Sequence, residues 1–575
     1  MDKKEAKNRV EEPDVFRAMR LGFGDEKIFW FRDELHSPYP VTALGMSTIQ
    51  KGHMWGYALS AEEVQLPPSR GAAVKSYNGH VYLGFVGITD PKVMEERGMK
   101  FGPFIQRSIE NWDIYYGNAM KEGECLTIPL ARADLRSMSF GQLAAQLRTN
   151  QKVNMRCWYL HFMMMYVADV VYMQGEEFVK NHGMDEKDYS TMLQGFETKG
   201  LASDRGQYRL GKSAEAKKKV LKLLENEEPV ERVIEKIRKI PEGQAWWQEV
   251  QIYLNEFGHR STAAVLDLNF PTWYEDPSAV IENIRTMIPR IKDGYDFEAE
   301  REETIRLREE AIVKFREKLP PEAKDAFETG LRHWQKAYQF NEDHWFYFEQ
   351  MNWSAMHYTA VECGRRFVDL GLLDEPYDVF HLTYEEVLDA LDFCEESEKV
   401  AAYTYAMIYR PLVQSRKEQW ERARVEKAPA FVGVIPETFD DPIAIKVFGL
   451  TSFVLDKARK ELAGETVEVG KRIEGFPGAP GEIEGPARVI TGHEDFPKLK
   501  TGDILVCPYT SPAWTPIFPK IKGVVTDSGG MLTHAAITAR EYGIPAVVGT
   551  WVATTTIKDG DIIRIDGTNG VVEIK

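Results

Sequence analysis

The sequence predicts a multidomain chain: a mostly α-helical body over residues 1–463, a Gly/Pro-rich linker over 464–482 and a compact α/β domain over 483–575. Three observations predict it. Up to residue 463, apolar residues recur at three- and four-residue steps while Glu, Lys and Arg fill the other positions, which is the pattern of helices with one solvated face. From 464 to 482 the chain reads GETVEVGKRIEGFPGAPGE, dense in Gly and Pro and without helical period. Beyond it, short β-branched runs alternate with turn residues, the pattern of strands around one or two helices.

Within the body, helices are expected over 298–318, 320–340, 384–410 and 411–426, and the segment 72–87 is strand-like. The apolar stretch 157–173 contains His161 and Asp169 and is short for a membrane span, so it reads as a buried core helix. In the last domain, strands are expected at 487–490, 503–506, 523–526, 546–548, 562–565 and 571–574, with a helix over about 533–542.

Composition excludes several classes of function. A length of 575 residues points to two to four domains. The net charge is −17 with no long basic block, which argues against nucleic acid and against an anionic membrane surface as partners. The first residues, MDKKEAKNRVEEPDVF, have no apolar core and do not form a signal peptide. Five scattered cysteines make no C-x-x-C pair, so no metal is expected, and the chain fits a reducing cytoplasm.

The most informative stretch is TDSGGMLTHAAITAREYGIPAVVG, residues 526–549. A strand ends at Thr526, and Ser528, Gly529 and Gly530 form a turn whose backbone can approach a ligand closely. Thr533 is placed to cap the following helix, putting His534 in its first turn among free N–H groups at the positive end of the helix dipole. That setting suits an anion, and a phosphoryl group on His534 would sit in its field. Taken alone, the spacing G-G-x-x-x-H also fits a histidine that merely packs or caps.

The whole stretch resembles the swivelling phosphohistidine domain of the enzymes related to phosphoenolpyruvate synthase and pyruvate phosphate dikinase. The resemblance runs from about residue 475 to 575 and includes PGAPGEIEGPARVI, GDILVCPYTSPAWTP and DGTNGVVEI. It implies that His534 is the phosphorylated residue, with Thr533, Gly529, Gly530 and Arg540 matching the family pattern and Ser528 in the same turn. In that family one histidine domain serves two distant sites, one charging it from ATP and one delivering to an acceptor. The chain has no G-x-x-x-x-G-K-[ST] loop and no counterpart of the large ATP-binding region of the single-chain relatives, so ATP and Mg2+ are expected on a separate ATP-binding subunit.

The body carries a second resemblance. FWFRD (29–33), GHR (258–260), PTWYED (271–276) and DVFHLTYEE (378–386) look like blocks in the acceptor domain of rifampicin phosphotransferases. Length and domain order are similar to the histidine-carrying subunits of phenylphosphate synthase and 4-methylphenylphosphate synthase. That resemblance implies a phenol or p-cresol acceptor, with ATP yielding aryl phosphate, AMP and phosphate. The alternatives are a larger hydroxyl acceptor of rifamycin type, or a phosphocarrier that relays phosphate to another protein.

A phenolic hydroxyl, with a pKa near ~10, is a poor nucleophile at neutral pH and needs a base, while phosphoryl transfer needs positive charge on the moving oxygens. Two groups meet that description: Arg32, Asp33 and His36, expected in a loop, and His259 with Arg260, at an expected helix end. In each, arginine would clamp the phosphoryl group and histidine would take the proton; each equally fits a structural ion-pair network. The segments WYLHFMMMY (158–166) and WFYF (345–348) fit either an aromatic-lined cavity or an ordinary core. Asp33, Trp158, His161 and His357 are the candidate acceptor contacts, though His161, His344 and His357 also fit core histidines.

Overall fold

A computed structural model of the chain describes residues 29–575, apart from 35, 185, 262–265, 427, 437–444, 446–447, 464–469, 511 and 532. The body opens with β1 (Phe29–Arg32), followed by helix α1 (Lys51–Val64) and strands β2 (Ser69–Tyr77) and β3 (His80–Gly87). Asn78 and Gly79 both have positive φ, at 47° and 78°, and turn β2 into β3 as a tight hairpin. A late strand, β4 (Phe431–Gly433), completes an antiparallel sheet of order β2-β3-β1-β4. Arg32 therefore ends a central strand instead of lying in a loop, because FWFR pairs on both edges.

Helix α2 (Phe140–Asn181) is the spine of the body, started by a Ser139–Gln142 capping box, and it contains the apolar stretch expected to be a core helix. Helix α1 lies close against it because Gly52 and Gly56 face it; a Cβ on Gly56 would sit 2.5 Å from the carbonyl carbon of Trp158. Further helices α3 (Lys199–Ala216), α4 (Pro241–Phe257), α5 (Pro321–His344) and α6 (Asn352–Asp369) surround the spine. A π-helical turn, Trp345–Met351, joins α5 to α6. The region 384–426 divides at Ser397, not at Pro411, into α7 (Tyr384–Glu396) and α8 (Glu398–Val425). Ser397 is extended (φ −161°, ψ 91°) and ends the first helix, while Pro411 is accommodated inside the second.

The C-terminal domain is an eight-stranded mixed sheet, with strands β5 (Arg472–Glu474), β6 (Phe476–Ala479), β7 (Glu482–Val489), β8 (Ile504–Cys507), β9 (Gly523–Thr526), β10 (Ala546–Val548), β11 (Ile562–Asp566) and β12 (Val571–Ile574). The order is β5-β12-β11-β7-β8-β9-β10-β6, with β7 through β10 parallel. β5 and β6, read from sequence as linker, are its two edge strands. Pro477 is tolerated because an edge strand need not donate on both sides. The rest of the expected linker includes 464–469, which lie outside the described residues. Helix α9 (His534–Glu541) follows β9.

The two parts touch at several places, among them Gln194, whose Nε2 donates to the Arg540 carbonyl (3.5 Å), and Trp551. The Trp551 backbone is left-handed (φ 58°), and its ring lies 4.8 Å from Phe431 among Phe29, Phe31 and Leu450 of the body. Among the described residues no helix is long and apolar enough to cross a membrane.

Candidate active site at the body–domain junction

His534 opens α9, as the sequence pattern predicts, and its ring faces a cavity of about 840 Å³ formed between the C-terminal domain and the body. The preceding turn needs Gly529, which has φ +101° and whose Cβ, if present, would lie 2.9 Å from Thr533 Cγ2. Thr533 occupies the cap position, yet its hydroxyl donates to the Gly530 carbonyl (2.8 Å) instead of accepting from the helix. The first N–H groups of α9 thus keep no side-chain cap from Thr533, which favours an anion there.

Two hydroxyls bracket the imidazole: Thr510 Oγ1 lies 2.9 Å from Nδ1 and Thr538 Oγ1 lies 3.2 Å from Nε2. Burial holds His534 far below the usual imidazole range, at about 3, so the ring is neutral at physiological pH and keeps a nucleophilic lone pair. Ser528 and Arg540 support the turn: Ser528 Oγ donates to the Pro508 carbonyl (2.9 Å), and Arg540 Nη1 donates to the Met531 carbonyl (2.8 Å).

Across the cavity from this domain, the body contributes an aromatic wall. Tyr57 and Phe162 stack at 4.5 Å, and His53 meets Trp158 edge-on at 4.6 Å. Phe346, Phe85 and Phe448 extend the apolar lining. His36 reaches the same cavity. Its Nδ1 lies 3.0 and 3.1 Å from the two oxygens of buried Asp33, and its backbone N–H donates to Asp33 at 3.1 Å. Burial alone would lower the His36 pKa, but the Asp33 carboxylate outweighs it and raises it above the ordinary value.

Of the residues singled out from sequence, His534, Thr533, His36, Trp158, His161 and Arg260 line this cavity. Arg260 lies over the rings of Trp273 (4.7 Å) and Phe346 (5.9 Å), and its buried Nε has no hydrogen-bond partner among the described residues. Others are placed elsewhere. Arg32 pairs with Glu34 and donates to the Ala428 carbonyl (3.1 Å), because β1 carries its side chain away from His36. Asp33 acts behind His36 and does not reach the cavity itself. His259 turns away from Arg260, stacks on Tyr274 and bonds the Tyr358 hydroxyl (3.1 Å). His357 is fully buried between the Leu268 carbonyl (2.7 Å) and Glu275 (2.9 Å), a structural role.

Sequence reasoning passed over Thr510, Thr538, His53 and Glu349. Glu349 is the least exposed of a cavity-lining trio with His161 and His344, whose donor atoms lie within 4.8 Å of one another. Burial alone would raise its pKa, but the two imidazoles hold it down at about 2.

Residues 499–570 match the family described as PEP-utilising enzyme, mobile domain, and residues 161–342 match the rifampicin phosphotransferase fourth domain. A chondramide synthase of Chondromyces crocatus is 30% identical over 73% of this chain and 10% of its own length. The uncharacterized phosphotransferase YvkC of Bacillus subtilis (strain 168) is 26% identical over 97% of this chain and 63% of its own. The rifampicin phosphotransferase of the same organism is 30% identical over 59% and 36% respectively. The chain thus spans less than two thirds of the length of each of these relatives.

Proposed function

The chain is a relative of the PEP-utilising phosphotransferases and carries their mobile domain, and we propose that it relays a phosphoryl group through His534 to the hydroxyl of a phenolic acceptor such as phenol or p-cresol. The observation that carries this reading is the neutral His534 ring opening a helix at the wall of an aromatic-lined cavity. In the first half-reaction ATP and water give phospho-His534, AMP and phosphate, with ATP and Mg2+ bound by a separate subunit. In the second, the acceptor oxygen attacks phosphorus, the P–N bond breaks and its electron pair returns to the imidazole nitrogen. The acceptor proton passes to His36, which Asp33 orients and makes more basic. Arg260, which lines the cavity, offers positive charge to the moving oxygens.

The ring of Trp158 and the Tyr57–Phe162 stack supply the flat apolar surfaces that an aryl group needs. A cavity of about 840 Å³ exceeds what one ring fills, and this favours a second reading: a larger, multi-ring hydroxyl acceptor. A chase of the charged chain decides between them. Radiolabelled phospho-chain is mixed with phenol, p-cresol or rifampicin, and loss of label is timed. Rapid discharge by the phenols supports the first reading; discharge by rifampicin alone replaces it with the second; discharge by neither contradicts both.

A further inference from the structure

We propose that His161, His344 and Glu349 bind a divalent cation of the zinc class in the wall of the cavity. His161 Nδ1 lies 3.1 Å and His344 Nε2 lies 3.5 Å from Glu349 Oε1. A tetrahedral ion with bonds of ~2.0–2.1 Å holds neighbouring donors ~3.3–3.4 Å apart, which both contacts to Glu349 approach. The three donor atoms as a set lie within 4.8 Å, so the ion would draw the trio closer together.

Three further observations separate this trio from an ordinary ion pair. Glu349 is 3% exposed, and its Oε2 is buried without a hydrogen-bond partner among the described residues. His161 Nδ1, despite its closeness to the carboxylate, makes no well-aligned hydrogen bond among the described residues. His344 has its other nitrogen, Nδ1, held 2.9 Å from the Phe340 carbonyl, which fixes a proton there and leaves Nε2, beside Glu349, as the nitrogen that a cation would take in place of a proton. Fixing the far nitrogen in this way is how a protein orients an imidazole ligand. The π-helical turn Trp345–Met351 is what brings Glu349 back beside His344.

Two imidazoles and one carboxylate suit zinc better than magnesium or calcium, which prefer all-oxygen shells. All three residues line the cavity, so remaining coordination positions would open toward the acceptor. A bound cation there would acidify the acceptor hydroxyl as it does water. That role rests on the proposed function; the binding itself does not.

The test is calorimetric titration of Zn2+ into the full chain after chelator dialysis, with Co2+ as a visible-absorbance probe. The expected result is one tight equivalent and Co2+ ligand-field bands. In Glu349→Gln, affinity falls at least tenfold and the bands are lost; His161→Gln gives the same loss and serves if the first variant is unstable. Retention of the bands by H534N assigns them to this trio. No tight equivalent on the parent chain, or equal binding by parent and variants, overturns the proposal. Neither outcome depends on phosphoryl transfer, so failure of this site and failure of the transfer reading are distinguishable.

Discussion

At the scale of single residues, the proposed second half-reaction turns on the Asp33–His36 pair. The Asp33 carboxylate raises the His36 pKa, so the basic form accumulates only as pH rises through a value above the ordinary imidazole range. kcat/KM for acceptor phosphorylation is therefore expected to show an acidic limb above that range. In Asp33→Asn burial is opposed only by the smaller pull of the Glu349 carboxylate, and the limb moves to lower pH; an unmoved limb removes His36 from the role. His36→Gln is expected to slow acceptor transfer by about 10²–10⁴-fold, while charging of His534, followed by label uptake, continues. His534 and its glycine turn were legible because their chemistry is local: turn, cap and first helical residue are consecutive. Glu349 was not. Five residues beyond His344, it would lie about 140° around an ordinary α-helix, and only the wider π-helical turn places the two side by side.

Elements are where the cavity gets its shape. α1 approaches α2 closely enough for His53 and Tyr57 to meet Trp158 and Phe162, and the glycines at 52 and 56 permit it. In Gly56→Ala the new methyl would lie 2.5 Å from Trp158 atoms. Overpacking of this kind costs about 1–3 kcal/mol, so denaturant unfolding should show a loss of that size together with weaker acceptor binding. Unchanged stability would mean that α1 can move away from α2 freely. Helix positions were readable from three- and four-residue periodicity, and the strands of the C-terminal sheet from β-branched runs. The edge strands β5 and β6 were not, because RIE and FPGA are short, interrupted by Gly475 and carry Pro477, the signals of a linker; only pairing with β12 and β10 makes them strands. The break at Ser397 was missed for a related reason: Pro411 is the stronger helix-breaking residue in sequence, but the helix accepts it.

At the scale of the whole molecule, the structure holds the C-terminal domain against the body with His534 facing the cavity, and Trp551 is one of the residues that make that contact. Removing a buried interface tryptophan costs about 2 kcal/mol or more, over tenfold in a docking equilibrium. Trp551→Ala should therefore enlarge the radius of gyration seen by small-angle scattering and slow discharge to acceptor, with charging from ATP undiminished. An unchanged radius would show that other contacts hold the domain. No sequence pattern announces such a contact, because its partners, Phe29, Phe31 and Phe431, are far from Trp551 along the chain.

The central claim is that His534 itself carries the phosphoryl group between donor and acceptor. Intact-mass analysis of the chain with Mg-ATP and an ATP-binding partner, before and after addition of phenol, tests it most directly. The expected result is one acid-labile phosphoryl group per chain, absent in H534N and discharged by the acceptor as aryl phosphate appears. Aryl phosphate formed at an undiminished rate by H534N would contradict it.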